Sequence, residues 1–235
     1  VRDAQEHQLW LSVSKVDTMR TAWPIHHDNS KNQFIEILNG IQHSSLHSAV
    51  YTTFSLDTQA TFVFREPASQ GTLKDLLCRV AAESARSPKQ KGRSNTLPVQ
   101  RIRAYGRQIL QGLKALKQIG MPYPQLSTTS VVVVDDVCKL SDLEAIFTGM
   151  HPVYHVDGLT VELEVFRFGQ VLFEMSTGRE LDEQLLLHNA LRDNWGSPMS
   201  DHAIAELVMN SDAEKRCHPE VRGILQAIYI PHSQV

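Results

Sequence analysis

Apolar residues change their spacing part-way along the chain. Before residue 66 they come in short runs rich in aromatic and β-branched side chains. Leu9 to Val16, Ala49 to Phe54 and Thr61 to Phe64 read as strands. Asp57 falls between the last two and suggests a hairpin turn. Asn32 to Ile41 interrupts them with Phe34, Ile37, Leu38 and Ile41 at helical spacing. After residue 98 helical periods dominate. Pro98 opens a helix whose stripe is Ile102, Tyr105, Ile109, Leu113 and Leu116, and Gly120 stops it. Two short strands follow, Val131 to Val134 and Cys138 to Leu140, with Asp135-Asp136 at the turn. Val161, Val165, Phe168, Leu172 and Met175 make a second stripe. Apolar residues also surround it, so that helix is expected to be buried, with Gly178 as its C-cap. Shorter helices are expected over 183–193, 201–209 and 219–229.

Charge separates these two halves. The chain has 23 Lys+Arg and 26 Asp+Glu, a net charge of -3, which excludes a strongly basic nucleic-acid binder at whole-chain level. Between Arg79 and Arg107, however, eight basic residues face one acid, Glu83, so that stretch carries +7 and the rest -10. Its middle, 84–98, is rich in Ser, Lys, Arg and Pro and has no apolar period. It reads as an exposed basic loop. The longest aliphatic run is Val131 to Val134, too short to span a bilayer. Three widely spaced cysteines, Cys78, Cys138 and Cys217, make neither a disulfide framework nor a Cys-based zinc site. The N-terminus has neither an initiator Met nor an apolar signal core, and reads as that of an excised domain.

A strand-rich part, a polar hinge and a helical part containing a short hairpin follow one another in the order of a protein kinase. Phe62-Val63-Phe64-Arg65-Glu66 and Gly71 to Leu77 resemble a kinase hinge strand and the helix after it. Tyr105 to Leu113 resembles the helix before the catalytic loop, and Val165 to Gly178 the buried central helix of the large lobe. The resemblance implies an α+β, bilobal, protein-kinase-like fold. Residues 1–66 would form a small, incomplete N-lobe and residues 67–235 a helical C-lobe.

The catalytic motifs depart from the kinase pattern. Where His-Arg-Asp is wanted the chain reads Tyr123-Pro124-Gln125. Gln125 is a neutral amide in the place of the base, and loss of a positioned base costs roughly 10²–10⁴-fold in rate. Ser130 replaces the Asn that holds the second magnesium. Asp142-Leu143-Glu144 replaces Asp-Phe-Gly, so a charged side chain stands where a flexible Gly is wanted. The first glycine of the chain is Gly40, so no glycine-rich loop precedes the first helix to cradle phosphates. Lys15 and Glu36 are candidates for the phosphate-binding Lys and its Glu partner. Only 22 positions separate Asp142 from Glu164, with no Ala-Pro-Glu between them.

These losses are independent, and they read as a pseudokinase with no catalytic residues and no cofactor. The alternative is a weak atypical kinase that binds ATP·Mg²⁺ through Asp142. Gly71 to Leu76, Tyr105 to Leu110 and the Asp142-Leu143-Glu144 variant are similar to the pseudokinase branch that includes the PX-domain kinase-like protein. Within that branch the Slowpoke-binding type is favoured, since no PX domain is present. The resemblance implies a neuronal, cytoplasmic scaffold that regulates a calcium-activated, Slowpoke-type potassium channel and also binds 14-3-3. A channel partner would recruit it to the plasma membrane or synapse.

Three further features each carry two readings. Arg93-Ser94-Asn95-Thr96-Leu97-Pro98 matches the Arg-Ser-x-phospho-Thr-x-Pro pattern read by 14-3-3 proteins, and a phosphate on Thr96 would offer charge and acceptors to an Arg cluster. The plainer reading is a solvated basic loop whose Pro98 starts a helix. Asp142 is either a surviving Mg²⁺ ligand or a turn residue. His151 and His155 stand at metal-ligand spacing, but Pro152 and Gly158 argue against a regular helix and no third ligand is evident, so no metal site is expected. The basic stretch lacks the interleaved aromatics of a single-strand binder, and reads as a solvated surface that could also meet acidic lipid.

Overall fold

Alternation of small polar and aromatic residues on either side of Asp57 produces the hairpin. β2 (Tyr51–Ser55) and β3 (Ala60–Arg65) pair antiparallel, with Ser55 opposite Ala60. In a computed structural model of the chain, which describes residues 8–17, 21, 27–78, 95–149, 163–181 and 217–229, the partner on the far side of β3 is β1 (Trp10–Lys15). The sheet order is therefore β1-β3-β2. From Thr61 on, the buried positions of β3 alternate, Thr61, Val63 and Arg65, as a period of two requires, and Ala60 at its start is buried as well. The sheet carries α1 (Asp28–Gly40) between its first two strands in sequence. Phe34, Leu38 and Ile41 are buried, and Phe34 meets Phe147 edge to face at 5.3 Å. Ile37, placed in the same stripe by its spacing, is instead more than a third exposed. At 100° per residue it lies beyond the edge of the contact face.

α2 (Leu73–Cys78) starts with a capping box. Thr72 Oγ1 accepts from the Asp75 amide at 3.1 Å, and the Asp75 carboxylate accepts from the Thr72 amide at 2.8 Å. α3 (Val99–Gln118) follows Pro98, and Gly120, at φ 72, ends the helical run. Its stripe is buried at Ile102, Tyr105, Ile109 and Leu116. β4 (Val131–Val134) and β5 (Val137–Leu140) form a second, two-stranded sheet. Asp135 and Asp136, both at positive φ (50 and 65), make its turn, the geometry that two-residue hairpins favour. A four-residue helix, α4 (Ala145–Thr148), was not foreseen from the sequence. α5 (Leu163–Thr177) is buried from Arg167 onward except at half-buried Gln170, as the surrounding apolar residues led one to expect, but Val165 of the stripe is 40% exposed. Gly178 at φ 66 ends it. α6 (Pro219–Tyr229) packs on α5.

One continuous core joins the two sheets and the helices. Leu46 bridges to Leu140 and Thr72 to Val132, tying β5 and β4 to the segments around the three-stranded sheet. The content is thus mixed helix and strand, with small sheets. The expected helices at 183–193 and 201–209, and residues 84–94 of the basic loop, lie outside the described residues. The end of that loop does not behave as a solvated segment. Asn95 N–H donates to Leu77 O at 2.8 Å, its side-chain amide donates to the same oxygen at 3.1 Å, and Leu97 N–H donates to Met175 O at 2.9 Å. Leu97 supplies the reason, since it packs against the core.

Candidate functional site

The kinase-like motifs meet between β3, β5 and the segment 121–130. Tyr123 is fully buried, and its hydroxyl donates to one of two carbonyls, Ser141 O at 2.5 Å or Ser130 O at 3.1 Å. Burial first, then the nearby Asp142 charge, pushes the phenol well above its usual range. Its amide donates to Glu164 Oε1 at 2.9 Å, which anchors the segment to the first turn of α5. Pro124 is half-buried beside it. Gln125 turns its amide inward: Nε2 donates to Asp142 O at 3.0 Å, while Oε1 is buried with no hydrogen-bond partner among the described residues. Ser130 does not present its hydroxyl outward. It donates to Gln125 O at 2.9 Å and accepts from the Ser127 amide at 2.9 Å, closing the turn. Lys74 pairs with Glu174, which also accepts from Thr128 Oγ1 at 2.7 Å, so α2 and α5 brace the far end of the segment.

Asp142 follows β5 at φ 56, a left-handed conformation that L-residues other than Asn, Asp and Gly seldom adopt. Burial, followed by the Glu144 charge, pushes its carboxyl up to about 6. The Ser141 hydroxyl lies 3.4 Å from Asp142 Oδ1 and 3.4 Å from His47 Nδ1. The other ring nitrogen of His47 donates to Glu66 O at 2.8 Å, and burial lowers this histidine to about 4. The ring is therefore neutral at pH 7.

Glu144 was expected only as an unwanted charge, but it has a partner. It forms an ion pair with Arg65 at the end of β3, and the two side chains are 2% and 3% exposed. Arg65 also donates to His47 O at 3.2 Å and to Ser12 Oγ at 3.2 Å. The guanidinium thus ties β1, the segment at His47 and the turn after β5 together. Leu143, between the two carboxylates, is buried in the core. Sequence reasoning missed the pair, although one signal was present. Arg65 is in phase with Val63 and Thr61, so a strand period of two already turned it inward.

The remaining expectations are placed as follows. Lys15 ends β1 and Glu36 lies on α1, both side chains are exposed, and no ion pair joins them. Thr96 and Pro98 are exposed, while Arg93 and Ser94 lie outside the described residues, as do His151 and His155. No cluster of three metal-ligating side chains occurs among the described residues. No described helix is long and apolar enough to cross a membrane.

Several proteins similar to this chain are named as kinase-like, two of them as probable inactive kinases. The rat PX domain-containing protein kinase-like protein is 29% identical over 204 residues, covering 82% of this chain and 34% of that protein. The Dictyostelium discoideum probable inactive serine/threonine-protein kinase slob2 is 31% identical over 134 residues, 55% of this chain and 20% of that protein. The Drosophila melanogaster Slowpoke-binding protein is 32% identical over 120 residues, 48% of this chain and 23% of that protein. The branch read from the motifs is therefore the one to which the chain is similar, and the chain spans about a third or less of these relatives' length. No protein-family model matches the chain.

Proposed function

We propose that the chain is a catalytically inactive, kinase-like domain that acts as a protein-interaction and regulatory module. In this reading the three-stranded sheet with α1 is the N-lobe, and the helices with the β4–β5 hairpin are the C-lobe. The observation that carries it is the buried Arg65–Glu144 ion pair. It locks the end of β3 to the turn after β5, and it recruits the residue that replaces the motif's glycine. Two neighbouring features agree. Gln125 is a neutral amide that cannot accept a substrate proton, and its Nε2 is turned onto Asp142 O. Asp142, with a raised pKa and a like charge in Glu144, is a poor lone ligand for Mg²⁺.

The finer reading takes the channel from the name of one relative and 14-3-3 from the motif at residues 93–98. A Slowpoke-type potassium channel is the channel partner, 14-3-3 is the co-partner, and a cytoplasmic, neuronal location with recruitment to the membrane by the channel follows. For 14-3-3 the phospho-docking motif Arg93, Ser94, Thr96 and Pro98 would have to lift from the body, since Asn95 and Leu97 are hydrogen-bonded to it. The competing reading, a weak kinase using Asp142, requires ATP·Mg²⁺ binding. Thermal unfolding with ATP, with and without Mg²⁺, and a phosphotransfer assay separate the two. A ligand at 100 times its Kd stabilises by about 2.7 kcal/mol, several degrees at this size. We expect no Mg²⁺-dependent shift at millimolar ATP and no transfer. Transfer that is lost in Asp142→Ala overturns the proposal.

A further inference from the structure

A groove of about 540 Å³ runs along α3 between α5 and α6. Its α3 wall extends from Val99 to Lys114 at i, i+3, i+4 spacing. It therefore follows one helix face for about four turns, roughly 22 Å at about 1.5 Å per residue. The floor is apolar, with Ile102, Phe168, Leu172 and Val221 buried beneath it. Leu110 and Ile224 rise at opposite rims and are 48% and 47% exposed. These are large apolar side chains left in water on both sides of one trough.

The charge left over along the groove is positive. Arg103 is neutralised by Glu220, with Nε at 2.7 Å. Arg107 and Lys114, further along the same face, are exposed and have no hydrogen-bond or ion-pair partner among the described residues. An apolar trough of helical length, walled by unneutralised cations, matches the apolar face of a helix flanked by carboxylates. Its concave section is filled by a convex helix and not by a flat bilayer.

We propose that this groove docks an acidic amphipathic helix from a partner protein. The inference rests on the interaction-module reading and specifies the surface that reading uses. Apolar anchors of the partner would enter between Leu110 and Ile224, and its acidic flank would face Arg107 and Lys114.

The test uses the full chain and a display library of four-turn helical peptides. These carry varied apolar anchors at i, i+3, i+4 and i+7, with Glu at the flanking positions. A matched library carries Lys there, and vesicles of phosphatidylserine and phosphatidylcholine test the lipid alternative. We expect the acidic library to yield binders at least about tenfold tighter than the basic one. Arg107→Glu with Leu110→Glu should weaken them by at least about tenfold at unchanged melting temperature. Lys114→Glu with Ile224→Gln is the second variant should the first misfold, and the same loss is expected. Three results overturn the proposal: no preference for acidic flanks, binding indifferent to both variants, or capture of vesicles but not peptides in an Arg107-dependent way. Phosphotransfer is measured on the same preparation. A negative groove without transfer removes the docking site alone, whereas transfer removes the interaction-module reading whatever the groove binds.

Discussion

The burden at Asp142 lies in its charge, not in its backbone. Its backbone is left-handed and its carboxyl is pushed up to about 6 by burial and by Glu144. Asn removes the charge and keeps the backbone as it is, because Asn and Asp both tolerate positive φ. We therefore expect Asp142→Asn to stabilise the chain at pH 7 by roughly 1–2 kcal/mol, the full pKa shift being discounted for partial exposure. The sign with pH follows from the raised folded pKa. The contribution of Asp142 is present in full below its ordinary value of 3.8 and is lost as pH rises through about 6. The gain of the variant over the parent thus opens between about pH 4 and 6 and is constant above. His47 runs the opposite way, since its pKa falls from 6.5 to about 4 and its contribution is lost as pH falls through that window. It is shared by both proteins, and its main effect cancels in their difference. Urea unfolding of both at pH 4, 5, 6 and 7 checks this, and a difference that does not change with pH refutes it.

Between elements, α3 comes close to β5 at Gly112. A Cβ built on Gly112 would lie 2.9 Å from Leu140 Cδ1 and Cγ and 3.0 Å from Ser45 O. Helix propensity favours Ala there by about 1 kcal/mol, but the backbone oxygen cannot yield cheaply. Gly112→Ala is therefore expected to lower stability by roughly 1–2 kcal/mol, read as a lower urea midpoint at unchanged slope. An unchanged or raised midpoint would mean that the two elements slide apart at no cost. Nothing in the periodicity of α3 points to this contact. Its stripe named Ile102, Tyr105, Ile109 and Leu116 correctly because amphipathic spacing is a property of the helix alone. Which glycine another element touches is a property of the pair. The same distinction explains Ile37 and Val165, which the stripes included and packing left exposed.

Across the whole molecule, the Arg65–Glu144 pair joins the three-stranded sheet to the turn that follows the two-stranded one. Removing one partner leaves a buried charge, and Arg65→Met is expected to cost roughly 3–5 kcal/mol, a fall of about 10 °C at this size. Arg65→Met with Glu144→Leu should recover most of it, because two apolar side chains need no counter-charge there. Differential scanning calorimetry of the parent, both single variants and the double variant gives the coupling. Additive losses would show that the pair does not act as a unit. Many elements were legible from order and spacing: β1 to β5, α1, α3 and the start of α5 all lie within a few residues of their expected runs. The substitutions at Gln125, Ser130 and Glu144 were legible too, because motif positions are read along the chain. What they do was not. A hydrogen bond from Gln125 to Asp142 O and an ion pair between residues 79 positions apart exist only once distant segments are packed together. Local sequence sets which face of each strand or helix is apolar. Which charges those faces enclose, and against what, is set by three-dimensional packing, where burial makes pairing compulsory.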